Sequence, residues 1–524
     1  LSESRTLTSY YTGQAFATYN FTLDKHSASA MVGVSAEKES YNYLFAKRLN
    51  ITGNELAAFN LGSTSGMFTD YNAYEWALLS GFTRINYAYA DKYLLEFNYR
   101  SDGSSRFSKS NRWGHFPSVS VGWRLSEEPF IKKLNLFSNL KIRASYGEMG
   151  NQNGLGYYDH IPKYTISSAV YPFLSGDQQW VTQSSLASET RTWETVKMFN
   201  VAVDMSFLQN RLTASAEWFR KVNDDMLVNI EFPAVIGINV PTGNYGKLVT
   251  KGWEVSLGWQ DKIGDFKYSA NFNLTDQKDN LENYGVAFNG FTSGVNVTTQ
   301  GYPLGAIFGY QSEGLFQSND EVKSSAVVPA FKGITAAGDV KYKDLNSDGV
   351  IDSQDITYLG NTAPRYAFGF NFNATYKNWD LGVVLQGVGK RDFYLNGQIM
   401  NNFRDSWANF GYTLHLDYWS EDNRNASMPR PYMASQSNHN TEYSSFWVQN
   451  AAYCRLKNLQ VGYTFKNIAI TKNAHIQSVR LYFSGDNLCE YSKLKKDFDP
   501  ELTTADGFMY PITRNYSVGL NVNF

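Results

Sequence analysis

Six oxygen donors in this chain are spaced to hold a hard cation. Asp344, Asn346, Asp348, Asp352 and Asp355 stand at positions 1, 3, 5, 9 and 12 of a twelve-residue loop, and the Val350 carbonyl falls at position 7. Gly349 supplies the sharp turn at position 6. Oxygen donors without His or Cys select calcium over zinc, so the spacing points to a structural Ca²⁺. Asp355 stands where an EF-hand has Glu, and its shorter arm weakens the bidentate reach. The competing reading is a solvated cluster of Asx turns, which Asp, Asn and Gly form without any metal. Either way the loop's role is to staple a long connection.

Other residue types are placed less favourably for chemistry. The chain has 6 His, among them His115, His160, His415 and His475, with no HExxH and no paired spacing, so surface and turn roles are expected. Glu217, Asp224 and Asp225 read as acids for hydrolysis, but acids on alternating barrel strands face the wet lumen, and spacing alone sets no glycosidase geometry. Cys454 and Cys489 lack CxxC spacing; a hairpin centred near Thr471 and Lys472 would bring them opposite each other, as a disulfide or as two half-buried small residues. Tyr157, Tyr158, Trp180, Phe410, Tyr412, Tyr418 and Trp419 are aromatic candidates for stacking on cargo or on a partner; the plainer expectation is that most pack the loops or form an interfacial girdle. Catalysis is not expected.

The framework that positions these residues is all-β. Aromatics are 16% of the 524 residues and charged residues 18%, which suits a wall meeting lipid, headgroup and water in turn, or an aromatic-rich carbohydrate-binding β-protein. No run approaches the ~18 apolar residues of a membrane helix, so a membrane location requires a barrel. A net charge of -2 offers no basic face for nucleic acid. Period-2 segments run over Gln14 to Leu23, Ala28 to Glu37, Trp76 to Tyr89, Tyr93 to Arg100, Phe116 to Leu125, Leu140 to Tyr146, Lys197 to Phe207 and Leu212 to Val222. They continue over Trp253 to Trp259, Phe266 to Leu274, Tyr366 to Tyr376, Trp379 to Gly387, Tyr453 to Phe465, Val479 to Leu488 and Arg514 to Phe524.

The separators alternate between a few residues, as at Asp24-Lys25-His26, Ala90-Asp91 and Lys377-Asn378, and dozens, as from Gly147 to Glu194 and Thr275 to Arg365. Short turns at one end and long loops at the other mark an outer-membrane barrel with its short turns in the periplasm. Fifteen strands is an odd number, whereas single-chain bacterial barrels have an even number and begin and end in the periplasm. Counting back from a periplasmic Phe524 places Leu1 outside the cell, so residues 1–524 are expected to be the C-terminal part of a larger barrel, with any export signal upstream.

Arg100-Ser-Asp-Gly-Ser-Ser-Arg-Phe107, Arg112-Trp-Gly-His-Phe-Pro-Ser118, Gly122-Trp-Arg124, Leu140-Lys-Ile-Arg-Ala-Ser-Tyr-Gly147 and Gly150-Asn-Gln152 give a more specific signal together than singly. They are followed by Trp193-Glu194, Phe207-Leu-Gln-Asn-Arg-Leu212, Gly252-Trp-Glu254, Gly338-Asp-Val-Lys-Tyr-Lys-Asp344, Pro364-Arg-Tyr366, Arg455-Leu-Lys-Asn458 and the stretch from Tyr510-Pro511 to Phe524. In this order they resemble the C-terminal portion of SusC/RagA-type TonB-dependent transporters of Bacteroidetes outer membranes. The resemblance implies a 22-stranded transmembrane antiparallel β-barrel with long extracellular loops, plugged by an N-terminal domain. It further implies import of oligosaccharides or peptides with a SusD-like surface lipoprotein and energy from TonB-ExbB-ExbD. The TonB box, plug and first strands are absent from this sequence. A passive porin-like barrel and a secreted all-β glycan-binding or adhesin module are the alternatives; the latter requires charges where a barrel has an apolar outer band.

Overall fold

The computed structural model describes residues 1–50, 58–167, 180–229, 235, 237–238, 240–285, 291–400, 411–432, 439–466, 476–495, 498–502, 510 and 512–524. The fifteen alternating segments form one antiparallel sheet whose neighbours follow chain order. Its strands are β1 Ser2–Leu23, β2 His26–Lys47, β3 Phe68–Tyr89, β4 Tyr93–Ser104, β5 Trp113–Arg124, β6 Phe137–Asn151, β7 Glu194–Phe207 and β8 Leu212–Val228. They continue as β9 Gly243–Ile263, β10 Phe266–Asn283, β11 Arg365–Tyr376, β12 Trp379–Lys390, β13 Tyr453–Lys466, β14 Ser478–Ser492 and β15 Asn515–Asn523.

Several strands are longer than the apolar alternation indicates. β1 starts at Ser2 instead of Gln14, and the stretch between the alternating segments that end at Glu37 and resume at Trp76 is largely strand, since β2 reaches Lys47 and β3 begins at Phe68. Similarly, β9 begins at Gly243 and β10 reaches Asn283. The added turns of strand carry Ser, Asn, Glu and Tyr on both faces, so no apolar period marks them, yet the β2–β3 ladder continues unbroken from His26↔Tyr89 to Lys47↔Phe68.

The two faces of the sheet differ throughout. Phe21, Ala28, Tyr87, Leu95, Val121, Ala144, Val201, Trp218 and Trp253 are successive cross-strand neighbours, an apolar row across nine strands. One residue along each strand, the row reads Thr22, Ser27, Ala88, Leu94, Gly122, Arg143, Ala202, Glu217 and Glu254. Toward the other end Leu520, Leu481, Tyr463, Trp379, Tyr376 and Phe266 extend the apolar face. Such a face has lipid, not water, as its solvent, against the secreted-module alternative. Near the short turns it carries stacked aromatics: Tyr89 on Tyr93, Tyr93 on Trp123, Phe137 against Phe207, and Trp379 against Tyr463. This is an interfacial girdle.

The buried core lies elsewhere. Two clusters draw their residues almost entirely from the long connections: one joins Ile307, Phe393, Leu395, Ile399, Trp447 and Leu494, the other Ala306, Phe308, Tyr310, Val340, Tyr342 and Ile351. Small sheets brace them, including Gly294–Val297 with Ala306–Tyr310 and Ile356–Asn361, and Asp392–Tyr394 with Val448–Asn450. The loops are thus a folded layer with its own interior.

The β13–β14 register corrects the cysteine pairing. Cys454 lies opposite Tyr491 and Cys489 opposite Leu456: the hairpin register, set by Lys466↔Ser478, is one residue off the expected one, and a bulge between Leu456 and Asn458, where Asn487 takes a φ of 54°, shifts the ladder by one more. Both thiols are free. The expected turn at Thr471 and Lys472 lies outside the described residues.

Candidate functional site

The polar face carries an ordered set of ion pairs. Arg143 on β6 reaches Asp204 on β7 at 3.1 Å and Glu217 on β8 at 2.7 Å, and Arg480 on β14 forks onto Asp380 on β12. On the face of Trp218 and Trp253, at the long-loop end, Lys197 meets Asp224 at 3.0 Å and Arg365 forks onto Asp276, which stands opposite Trp253. Glu217 is therefore neutralised by Arg143 two strands away and Asp224 by Lys197 on the adjacent strand, and the two acids, on opposite faces of β8, do not form a catalytic pair. Spacing along the chain could not show this, since each partner is set by strand register.

Above the strands, the quoted motifs staple loops to the wall. Trp193 is buried with Phe107, Phe116 and Leu155, and its Nε1 donates to the Arg112 carbonyl at 3.0 Å. Glu194 accepts from the Leu227 amide and the Asn151 side chain, both at 2.7 Å. Arg455, 1% exposed, pairs with Glu490 on β14 and with Asp499 and Glu501 of the following connection. These residues fix the loops at the mouth of the barrel.

At the centre of the loop layer stands Asp339, fully buried. One of its oxygens accepts from Arg430 Nε and Asn440 Nδ2, each at 3.1 Å; the other accepts from the Tyr432 hydroxyl at 2.6 Å and the Ala336 amide at 2.9 Å. Four donors compensate the burial of this charge. Beside it, the Tyr342 hydroxyl donates to the His439 carbonyl at 2.6 Å and the Trp447 indole to the Asn440 carbonyl at 2.9 Å. Burial pushes the His439 imidazole down to about 4 and the Tyr342 phenol well above its ordinary range. Gly338 has a φ of 91°, and a Cβ there would stand 2.4 Å from Trp419, so the indole packs directly on the backbone. The start of the Gly338–Asp344 motif is a structural keystone; its partners Arg430, Tyr432 and Asn440 were not legible from spacing.

The twelve-residue loop that follows is organised by backbone amides. Asp344 accepts from Ser347 at 2.6 Å and Gly349 at 2.8 Å, Asn346 from Asp348 at 3.1 Å, and Asp348 from Val350 at 2.9 Å. Asp352 accepts from Gln354 at 2.8 Å, while buried Asp355 accepts from Leu345 at 2.7 Å and Asp352 at 2.9 Å. Among the described residues, no three His, Cys, Asp or Glu side chains group closely enough to hold a metal ion.

The remaining candidates separate into packing and exposed roles. Tyr157 stacks on Tyr74 at 4.1 Å beneath the Arg106 guanidinium, and the Tyr158 hydroxyl accepts from the Glu75 amide at 2.9 Å. Trp419 is buried, Tyr412 packs on the loop core, and Tyr418 is exposed. His115 pairs with the Tyr99 hydroxyl, His160 with the Arg106 carbonyl, and His415, whose pKa is lowered by burial, with the Ile399 carbonyl. Phe410, His475 and the side chain of Trp180 lie outside the described residues.

Comparison with known proteins places this geometry. The family described as "TonB dependent receptor-like, beta-barrel" matches residues 2–488. TonB-dependent receptor P3 of Formosa agariphila is 29% identical, over 97% of this chain and 52% of its own length. TonB-dependent receptor SusC of Bacteroides thetaiotaomicron is 29% identical, over 85% of this chain and 44% of its own. The structure of the RagAB peptide transporter superposes with a TM-score of 0.82 at 22% identity, covering 100% of this chain and 56% of that one. The chain spans about half the length of these relatives.

Proposed function

The chain belongs to the TonB-dependent receptor-like β-barrel family of Gram-negative outer membranes, and on that premise we propose that the whole protein is an active nutrient importer of oligosaccharides or peptides. Within it, residues 1–524 are the C-terminal part of the barrel, with the plug, the TonB box and the first strands supplied by the rest of the protein. A SusD-like lipoprotein rests on the loop layer, and TonB-ExbB-ExbD supplies the energy. The observation that carries this reading is the folded loop layer built around Asp339 and Trp447 above a wall lined with ion pairs. Buried polar networks of this kind hold one conformation, which a docking lid requires. Uptake assays with labelled oligosaccharide and peptide pools, in strains with and without the full-length gene and with and without TonB, test it. Gene-dependent, TonB-dependent uptake of either class is expected; gene-dependent uptake that persists without TonB would instead identify a passive porin.

We further propose a calcium ion on Asp344, Asn346, Asp348, Val350, Asp352 and Asp355. It is supported by donor type and spacing alone. With EDTA the segment around Asp344 should become sensitive to protease; unchanged cleavage kinetics would leave the Asx-turn network as the whole of its organisation.

A further inference from the structure

The apolar face of the sheet is not uniformly filled. Between β1 and β5 one cross-strand row reads Gly13, Ala36, Leu79, Gly103 and Trp113. The next row toward the long loops brings Tyr11, Lys38 and Ala77, and the next toward the short turns has Ala15, Val34 and Gly81. Small residues form the floor and Tyr11, Lys38 and Trp113 the rim of a groove of about 700 Å³, within the roughly 300–1,000 Å³ of small-molecule sites.

Gly13 and Gly103 line the groove, and Gly81 stands beside it on the same face. At Gly13 and Gly81 nothing lies within 4 Å of where a Cβ would stand, so the wall is open there. At Gly103 a Cβ would sit 2.9 Å from the Trp113 indole, so the ring packs directly against the backbone and forms one flank. Glycine inside a strand weakens the strand and marks a place where another group approaches closely. Elsewhere this face is filled by large side chains, as where Phe199 packs edge-on against Trp218. The groove runs without interruption into the lipid-facing band of Val34, Val32 and Ile85. At its upper edge Lys38 pairs with Glu75 at 2.8 Å, which sets the level at which charge returns to the outer wall.

We propose that this groove binds one acyl chain of an outer-leaflet lipid, with the headgroup phosphate at the level of Lys38. Lipid reaches this groove because the barrel family sits in the outer membrane, whatever the protein imports. Continuity with the lipid-facing band identifies the occupant's tail as hydrocarbon, and the Lys38–Glu75 ion pair at the rim marks the level at which the headgroup meets charge.

The test uses the full-length protein purified from outer membranes and reconstituted in nanodiscs doped with a palmitoyl phosphatidylethanolamine carrying a mid-chain diazirine. After photolysis, mass spectrometry should find adducts concentrated on peptides covering residues 11–15, 34–38, 77–81 and 103–113, several-fold above those covering 199–203 on the same face. Ala36→Phe and, separately, Gly13→Leu should bring groove labelling down to that background while heat-modifiable gel mobility reports an intact barrel. The second variant enters open space and keeps the test valid should the first fail to fold. Even labelling along the wall, groove labelling unchanged by Gly13→Leu, or cross-links from the groove to a second copy of the protein in place of lipid would overturn the proposal.

Discussion

Asp339 and His439 carry the most testable chemistry at the scale of single residues. Asp339→Ala removes a buried anion and leaves Arg430 without its partner, a change expected to cost about 3–5 kcal/mol. Hydrogen exchange should report that loss over residues 306–360 and 428–451, while gel mobility shows the sheet intact. His439 gives a pH dependence with a definite sign. In the closed loop layer its pKa is about 4; in an opened layer it returns toward about 6.5. Between those values the opened form binds a proton that the closed form does not, so stability falls as pH drops from about 6.5 to 4, by up to about 3 kcal/mol. Above that window the residue is neutral in both forms and contributes no pH dependence. Exchange protection at Val340 and Trp447 should therefore weaken toward pH 4, and His439→Gln should flatten the profile. The Gly338-Asp339 pair was legible in the sequence as part of a motif, but its partners Arg430, Tyr432 and Asn440 stand about ninety or a hundred residues away, where no local period reaches.

Strands were the most legible elements, because a wall between lipid and lumen forces period 2 on every one of them. All fifteen alternating segments became strands of one sheet, in order. Boundaries were less legible where β2 and β3 continue with polar residues on both faces. Register and bulges were illegible too: Cys454 and Cys489 miss each other by one residue in the hairpin register and by one more at the bulge beside left-handed Asn487. The two-faced wall makes a paired prediction on β14. Phe483 faces lipid between Val461 and Val518, while Ser484 faces the lumen between Gln460 and Ser517. Phe483→Arg is expected to destabilise the barrel by about 2–4 kcal/mol, and Ser484→Arg by far less. Urea unfolding of the full-length protein in lipid vesicles measures both; equal losses would assign the faces wrongly.

On the scale of the whole molecule, the sheet supplies a wall and the long connections supply the interior, an inversion of the usual globular arrangement. The loops carry buried aromatic clusters and the fully buried Asp339, whereas strand residues such as Leu481 and Val518 stay exposed to a lipid solvent. Family membership agrees with this division, and about half the length of the relatives is represented in it. The central claim is that the Asp339 layer lies outside the cell and the short turns lie in the periplasm. It is tested by single-cysteine variants of the full-length protein, Ser347→Cys in the twelve-residue loop and Asn378→Cys in the β11–β12 turn, each with Cys454→Ser and Cys489→Ser. A membrane-impermeant maleimide applied to intact cells should label position 347 and spare position 378 until the outer membrane is opened. Labelling of position 378 on intact cells, or protection of 347 there with exposure only after lysis, would contradict the account.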